Sequence, residues 1–154
     1  PDEQLEGMFE KYHSKANFSR YFSRNKENVV HYYADSREFD FRVIKDDIQL
    51  IFIDADHSYE AVKNDTQKVF DIIDPDEAFV VWHDFNRHDV SNAVFDTLPV
   101  EMHNQTFEVD ANLCGIYVPR KYLDWFETFS DEKELFSYEI RVKVKENRWM
   151  EPVE

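Results

Sequence analysis

Glycine is nearly absent. The 154-residue chain has two, Gly7 and Gly115, so it cannot contain a G-x-G-x-x-G phosphate or nucleotide loop. Cysteine is rarer still: Cys114 stands alone, which excludes an internal disulfide and suits a reducing, cytoplasmic compartment. No apolar run approaches the ~20 residues of a membrane span, and no signal peptide is visible. Basic residues are few. Eighteen Lys and Arg face 33 Asp and Glu, a net charge of −15, which argues against nucleic acid and anionic membrane as partners. Residues 11 to 26 run against this trend, with Lys11, Lys15, Arg20, Arg24 and Lys26, and read mainly as a solvated helix face. There is also no initiator methionine before Pro1, so the expectation is a processed product or a piece of a longer enzyme.

What is present is a globular composition, 42% hydrophobic and 16% aromatic, enough for one domain over residues 1–154. The most informative stretch runs from Leu50 to Glu60. A hydrophobic run, Leu50-Ile51-Phe52-Ile53, ends in Asp54-Ala55-Asp56-His57-Ser58. The pattern recurs where Ala78-Phe79-Val80-Val81-Trp82 ends in His83-Asp84. Residues 59 to 73 lie between, with Val62, Thr66, Val69, Phe70 and Ile73 at helical spacing and Asp74-Pro75 as the stop. Ser58 is placed to be the helix N-cap, with Glu60 in the first turn. Strand, helix and strand at this spacing make a βαβ unit. Its parallel crossover brings both strand ends to one sheet edge, where open α/β sheets bind ligands. Asp54 and Asp84 are therefore expected to face each other, roughly 5 Å apart at the backbone.

Around this unit, residues 4 to 24 read as helical in two pieces and 29 to 34 as a buried strand ending at Asp35-Ser36. A helix is expected over about 90–98, strands over 106–109 and 114–118, and a helix over about 120–129. Gly115 within its strand suggests a bulge or a close backbone approach. Residues 136 to 145 alternate apolar and polar, which predicts a half-buried strand at a sheet edge, the edge through which a homo-oligomer would form. The fold class is thus α/β: a partly parallel, Rossmann-like sheet with flanking helices and an extra C-terminal edge strand.

Several side chains at the strand ends carry chemistry. Asp54 and Asp84 are hard oxygen donors of the kind Mg²⁺ prefers, and strand-end carboxylates also serve simply as caps. Asp56 and His57 follow the first strand; either could take a proton, and His57 could equally bond the backbone at the helix start. His83 precedes Asp84, and on an alternating strand one of the two must point away from the site; His83 is expected to be that one. Asp35 could accept from an amino group of a bound cofactor or merely form a turn. Cys114, between Leu113 and Gly115 on an apolar strand, reads as structural rather than nucleophilic.

The string Phe52-Ile53-Asp54-Ala55-Asp56-His57-Ser58-Tyr59-Glu60-Ala61-Val62, with Asp65 and then Val80-Val81-Trp82-His83-Asp84-Phe85, resembles class I S-adenosylmethionine-dependent methyltransferases, in particular the small-molecule O-methyltransferase branch. The close resemblance covers about residues 48–86, and a looser one runs from 17 to 119. It implies methyl transfer from S-adenosylmethionine to an oxygen of a small-molecule substrate. It further implies that Asp54 and Asp84 ligate Mg²⁺, that Asp56 is a candidate base, and that Asp35, Ser36 and Asp54 lie at the cofactor, the first two at its adenine. The chain departs from the family in lacking the glycine-rich loop and the ribose-binding acid of the first two strands, and in having Asp76-Glu77 in place of Gly-Gly and His83 in place of an acid. It matches the C-terminal half of the fold. Two other readings use the same residues: a degenerate, non-catalytic α/β binding or dimerisation domain, and a phosphatase-like metal hydrolase, for which no nucleophile loop is evident.

Overall fold

A computed structural model of the chain describes residues 26–44, 47–109, 112–130 and 138–142. The helix expected over 4–24 lies outside these residues, together with most of the basic segment. The chain divides into two compact units, one ending at Phe39 and the other beginning at Asp40.

In the first unit, residues 29 to 34 form no strand, a correction to the sequence reading. Val30 and Tyr32 are 73% and 55% exposed rather than buried. In the doubly wound order 3-2-1-4-5-6 a third strand pairs with the second, and no described segment supplies that neighbour. Without a ladder, extended backbone has no reason to settle as a strand. The segment leads instead into a turn closed by the Glu38 and Phe39 amides donating to the Asp35 carbonyl.

The second unit opens with a short 3-10 turn, Phe41–Val43, capped by the Asp40 side chain accepting from the Arg42 amide at 3.1 Å. The βαβ unit then appears as expected. Strand β1 (Leu50–Ile53), helix α1 (Tyr59–Phe70) and strand β2 (Phe79–Trp82) follow one another, and β1 and β2 pair in parallel with Ile53 opposite Trp82. Helix α2 (His88–Thr97), strand β3 (Thr106–Val109) and strand β4 (Gly115–Tyr117) complete the part foreseen.

The segment 120–129 departs from expectation. It is a 3-10 turn, Arg120–Trp125, followed by strand β5 (Phe126–Ser130). Phe126, Thr128 and Phe129 are strand formers, and pairing with the next strand overrides the helical spacing of the preceding residues. The extra C-terminal strand is present as β6 (Tyr138–Val142). The six strands run in the order β1-β2-β4-β3-β6-β5, so β6 lies one place in and β5 forms the edge beside it. The sheet is mixed, parallel at β1–β2 and β3–β6 and antiparallel elsewhere.

The core lies between the sheet and the α1–α2 pair. Trp82, Val69, Val80, Val90 and Val94 are all at most 2% exposed. Phe70 stacks on Trp82 with an interplanar angle of 6°. The buried Trp82 indole N–H donates to Thr66 Oγ1 at 3.0 Å, which satisfies the one polar atom that ring brings into the core. Tyr59 Oη donates to Asp96 Oδ2 at 2.9 Å and ties the start of α1 to the end of α2. At the other end of the order, β1 is outermost, and Leu50 and Phe52 on one of its faces are largely exposed. No described helix is long and apolar enough to cross a membrane.

Candidate functional site

The parallel register decides which residues meet. Ile53 pairs with Trp82, and the His83 amide donates to the Ile53 carbonyl at 3.0 Å, so the next residues, Asp54 and His83, emerge side by side. Asp84 is reached by a sharp change of direction. Its φ is 53°, in the left-handed region that aspartate tolerates better than most residues. The strand has ended at Trp82, so strict alternation no longer applies, and the turn lets His83 and Asp84 both face the site. This overturns the expectation that His83 points away from the site.

Phe85 holds that turn in place. Its amide donates to the Leu113 carbonyl at 2.7 Å, and its ring is buried against Gly115 of β4. A Cβ at position 115 would overlap the Phe85 ring at Cγ and Cδ2. The close approach foreseen at Gly115 is therefore real, and it is a side-chain ring that makes it.

Four side chains converge at the strand ends. His57 Nε2 lies 3.0 Å from Asp84 Oδ2 and 3.7 Å from Asp54 Oδ1. His83 Nδ1 lies 3.4 Å from Asp84 Oδ2 and 3.5 Å from Asp54 Oδ1. One ligand atom each from Asp54, His57 and His83 falls within 4.8 Å of the other two, the spacing of a metal site, and Asp84 lies outside that set of three. Both ring nitrogens are shut off from solvent, and neither makes a hydrogen bond. The carboxylates are near enough but lie off the direction a hydrogen bond requires.

The donor set bears on the metal expected from the resemblance. Mg²⁺ takes oxygen ligands in a strict octahedron and keeps several waters. Two imidazole nitrogens facing inward beside two carboxylate oxygens fit it poorly.

The other candidates are placed as follows. Asp56 Oδ1 accepts the Ser58 amide at 2.9 Å as an Asx turn before α1. That backbone hydrogen bond holds the Asp56 carboxyl below its ordinary range, which makes it a weaker base. Ser58 is the N-cap by position, without a side-chain cap bond. Asp35 and Ser36 belong to the first unit. The Asp35 carboxylate accepts from the Arg37 side chain at 3.0 Å (Oδ1) and 2.5 Å (Oδ2), and from the Arg37 amide at 2.9 Å. Cys114 is half-buried, and burial first, then the negative charges of Asp54 and Asp84, push its thiol pKa up. It remains a thiol at neutral pH, as the structural reading of it requires.

The residue that sequence reasoning passed over is His83. Its signal was available: the apolar run stops at Trp82, and a polar residue just beyond a strand end belongs to the turn rather than to the pleat.

A family model described as a methyltransferase domain matches residues 3–85, the segment that contains all four converging side chains. No curated protein and no solved structure matches. Because that match spans more than half of the chain and ends on the turn that carries His83 and Asp84, the protein belongs to the methyltransferase-domain family.

Proposed function

We propose that this chain carries the acceptor end of an S-adenosylmethionine-dependent methyl transfer to an oxygen of a small molecule. The observation that supports this reading is the convergence of Asp54, His57, His83 and Asp84 at the C-terminal edge of a parallel strand pair, inside the segment matched by the family. That edge is where α/β sheets receive ligands.

In such a transfer the acceptor oxygen attacks the methyl carbon. The new C–O bond forms as the C–S bond of the sulfonium breaks, and S-adenosylhomocysteine leaves with the electron pair. The acceptor's hydroxyl proton must go elsewhere. His57 suits that task better than Asp56, because its Nε2 faces the cluster while the Asp56 carboxylate is taken up by the Ser58 amide. Asp84, whose carboxylate lies 3.0 Å from that same nitrogen, would offset the positive charge the ring gains. Asp35 and Ser36 are the residues the resemblance assigns to the cofactor's adenine, and the Arg37 guanidinium sets the direction in which the Asp35 carboxylate points.

The scarcity of glycine favours a second reading, a non-catalytic binding domain. Calorimetric titration with S-adenosylhomocysteine separates the two. Micromolar binding, with one methyl group gained by a hydroxylated acceptor in the presence of S-adenosylmethionine, is the expected result. His57→Ala should lower turnover by roughly 100-fold or more while leaving cofactor affinity within about two-fold. No binding even at millimolar S-adenosylhomocysteine would give the non-catalytic reading the better claim.

A further inference from the structure

We infer that the cluster is a site for a borderline divalent transition ion of the Zn²⁺ type, held by Asp54, His57 and His83, and that it discriminates against Mg²⁺. The inference stands on the geometry of the cluster and does not depend on the methyl-transfer reading.

The first ground is the donor chemistry. Imidazole nitrogen with carboxylate oxygen suits Zn²⁺, Fe²⁺, Co²⁺ and their neighbours, whereas Mg²⁺ and Ca²⁺ select oxygen alone. Two histidines and one carboxylate, with a further position left for substrate or solvent, is a set that catalytic zinc and non-haem iron both use. The second ground is spacing. Donors bonded about 2.0–2.2 Å from one tetrahedral ion sit roughly 3.3–3.6 Å apart. The Asp54 carboxylate lies 3.5 Å from the His83 nitrogen and 3.7 Å from the His57 nitrogen, and the three donors fall within 4.8 Å of one another. Neighbouring donors around an octahedral Mg²⁺ would be closer, at about 2.9–3.0 Å.

The third ground is the state of the ring nitrogens. His57 Nε2 and His83 Nδ1 are buried and make no hydrogen bond, although carboxylates lie within reach of each. Ring nitrogens set between carboxylates, out of line for a hydrogen bond to either, are placed as ligating nitrogens are. The side chains are also mounted for it. His57 sits just ahead of α1, fixed by the Asx turn at Asp56, and His83 and Asp84 ride on a turn locked by Phe85. An ion here would act as a Lewis acid, lowering the pKa of a bound hydroxyl; His57 Nε2, once a ligand, would no longer be the nitrogen that takes the proton.

The test is direct titration of the full chain, stripped with chelator, with ZnCl₂ and separately with MgCl₂, in the absence of any cofactor. One Zn²⁺ per chain is expected, bound at least about 1,000-fold more tightly than Mg²⁺. Co²⁺ added to the unmodified chain should give the intense visible bands of a low-coordinate site. His57→Ala and His83→Ala should each weaken Zn²⁺ binding by about 100-fold or more, while exposed His88→Ala leaves it unchanged. Thermal melts establish that the variants fold, and the Co²⁺ spectrum needs no variant. Mg²⁺ binding as tight as Zn²⁺, Zn²⁺ uptake unaltered in both histidine variants, or a Co²⁺ spectrum no different from that of the aqueous ion would overturn the inference.

Discussion

At the scale of single residues, Cys114 is a built-in reporter on the site. It is the chain's one cysteine, so any thiol chemistry reads that position alone. Burial raises its pKa first, and the Asp54 and Asp84 carboxylates raise it further. Only the thiolate reacts with alkylating reagents, so a raised pKa means slow labelling. Asp84→Asn removes one of the two charges and keeps a residue that tolerates the positive φ of 53°. The expected outcome is a several-fold faster reaction of Cys114 with iodoacetamide at pH 8, followed by mass spectrometry, with the fold intact by circular dichroism. An unchanged rate would mean that Asp84 does not impose its charge on this thiol. Asp84 itself shows how far residue-level reading reaches: its importance was legible from Trp82-His83-Asp84, while its backbone twist was not, because nothing in a three-residue string announces a left-handed aspartate.

At the scale of elements, the βαβ unit was readable because local and tertiary preferences agree there. The apolar residues of α1 recur at 3.6-residue spacing, Asp74-Pro75 follows it closely, and β1 and β2 are continuous apolar runs of the kind parallel strands require. The misreadings fall where partners decide. Residues 29 to 34 have strand-like composition, but a strand exists only through its neighbour. Phe126–Ser130 has helical company upstream, yet it pairs with β6 along its whole length. Gly115 links an element to the site: its missing side chain admits the Phe85 ring, and that ring pins the turn bearing His83 and Asp84. Gly115→Ala should therefore cost about 1–3 kcal/mol in a urea titration, since the overlapping ring atoms are the stiff base of the ring rather than a flexible end. The same substitution in a Phe85→Leu background should cost clearly less, because the smaller side chain leaves room. Equal costs in the two backgrounds would show that the Phe85 contact is not what excludes a Cβ at 115.

At the scale of the whole molecule, charge dominates. Thirty-three acidic and 18 basic residues leave a net −15 on 154 residues, so no arrangement of ion pairs can neutralise the surface. The ion pairs at Asp35–Arg37 and Asp40–Arg42 bridge residues two apart in sequence, and both are solvent-exposed. Pairs of that kind contribute little to stability. Among the described residues, the Glu77–Lys121 pair joins the loop before β2 to the turn before β5, and it too is exposed. With weak pairs and a large excess of one sign, net repulsion opposes the compact state. Salt screens repulsion between exposed charges over a Debye length that falls from ~30 Å at 0.01 M to ~8 Å at 0.15 M. The melting temperature should therefore rise as NaCl is raised from 10 to 150 mM, opposite to the behaviour of a protein held by surface salt bridges. Scanning calorimetry across that range checks it. A melting temperature that falls with salt would mean that attractive pairs outweigh the excess negative charge, and that the acidic surface contributes to holding the fold together.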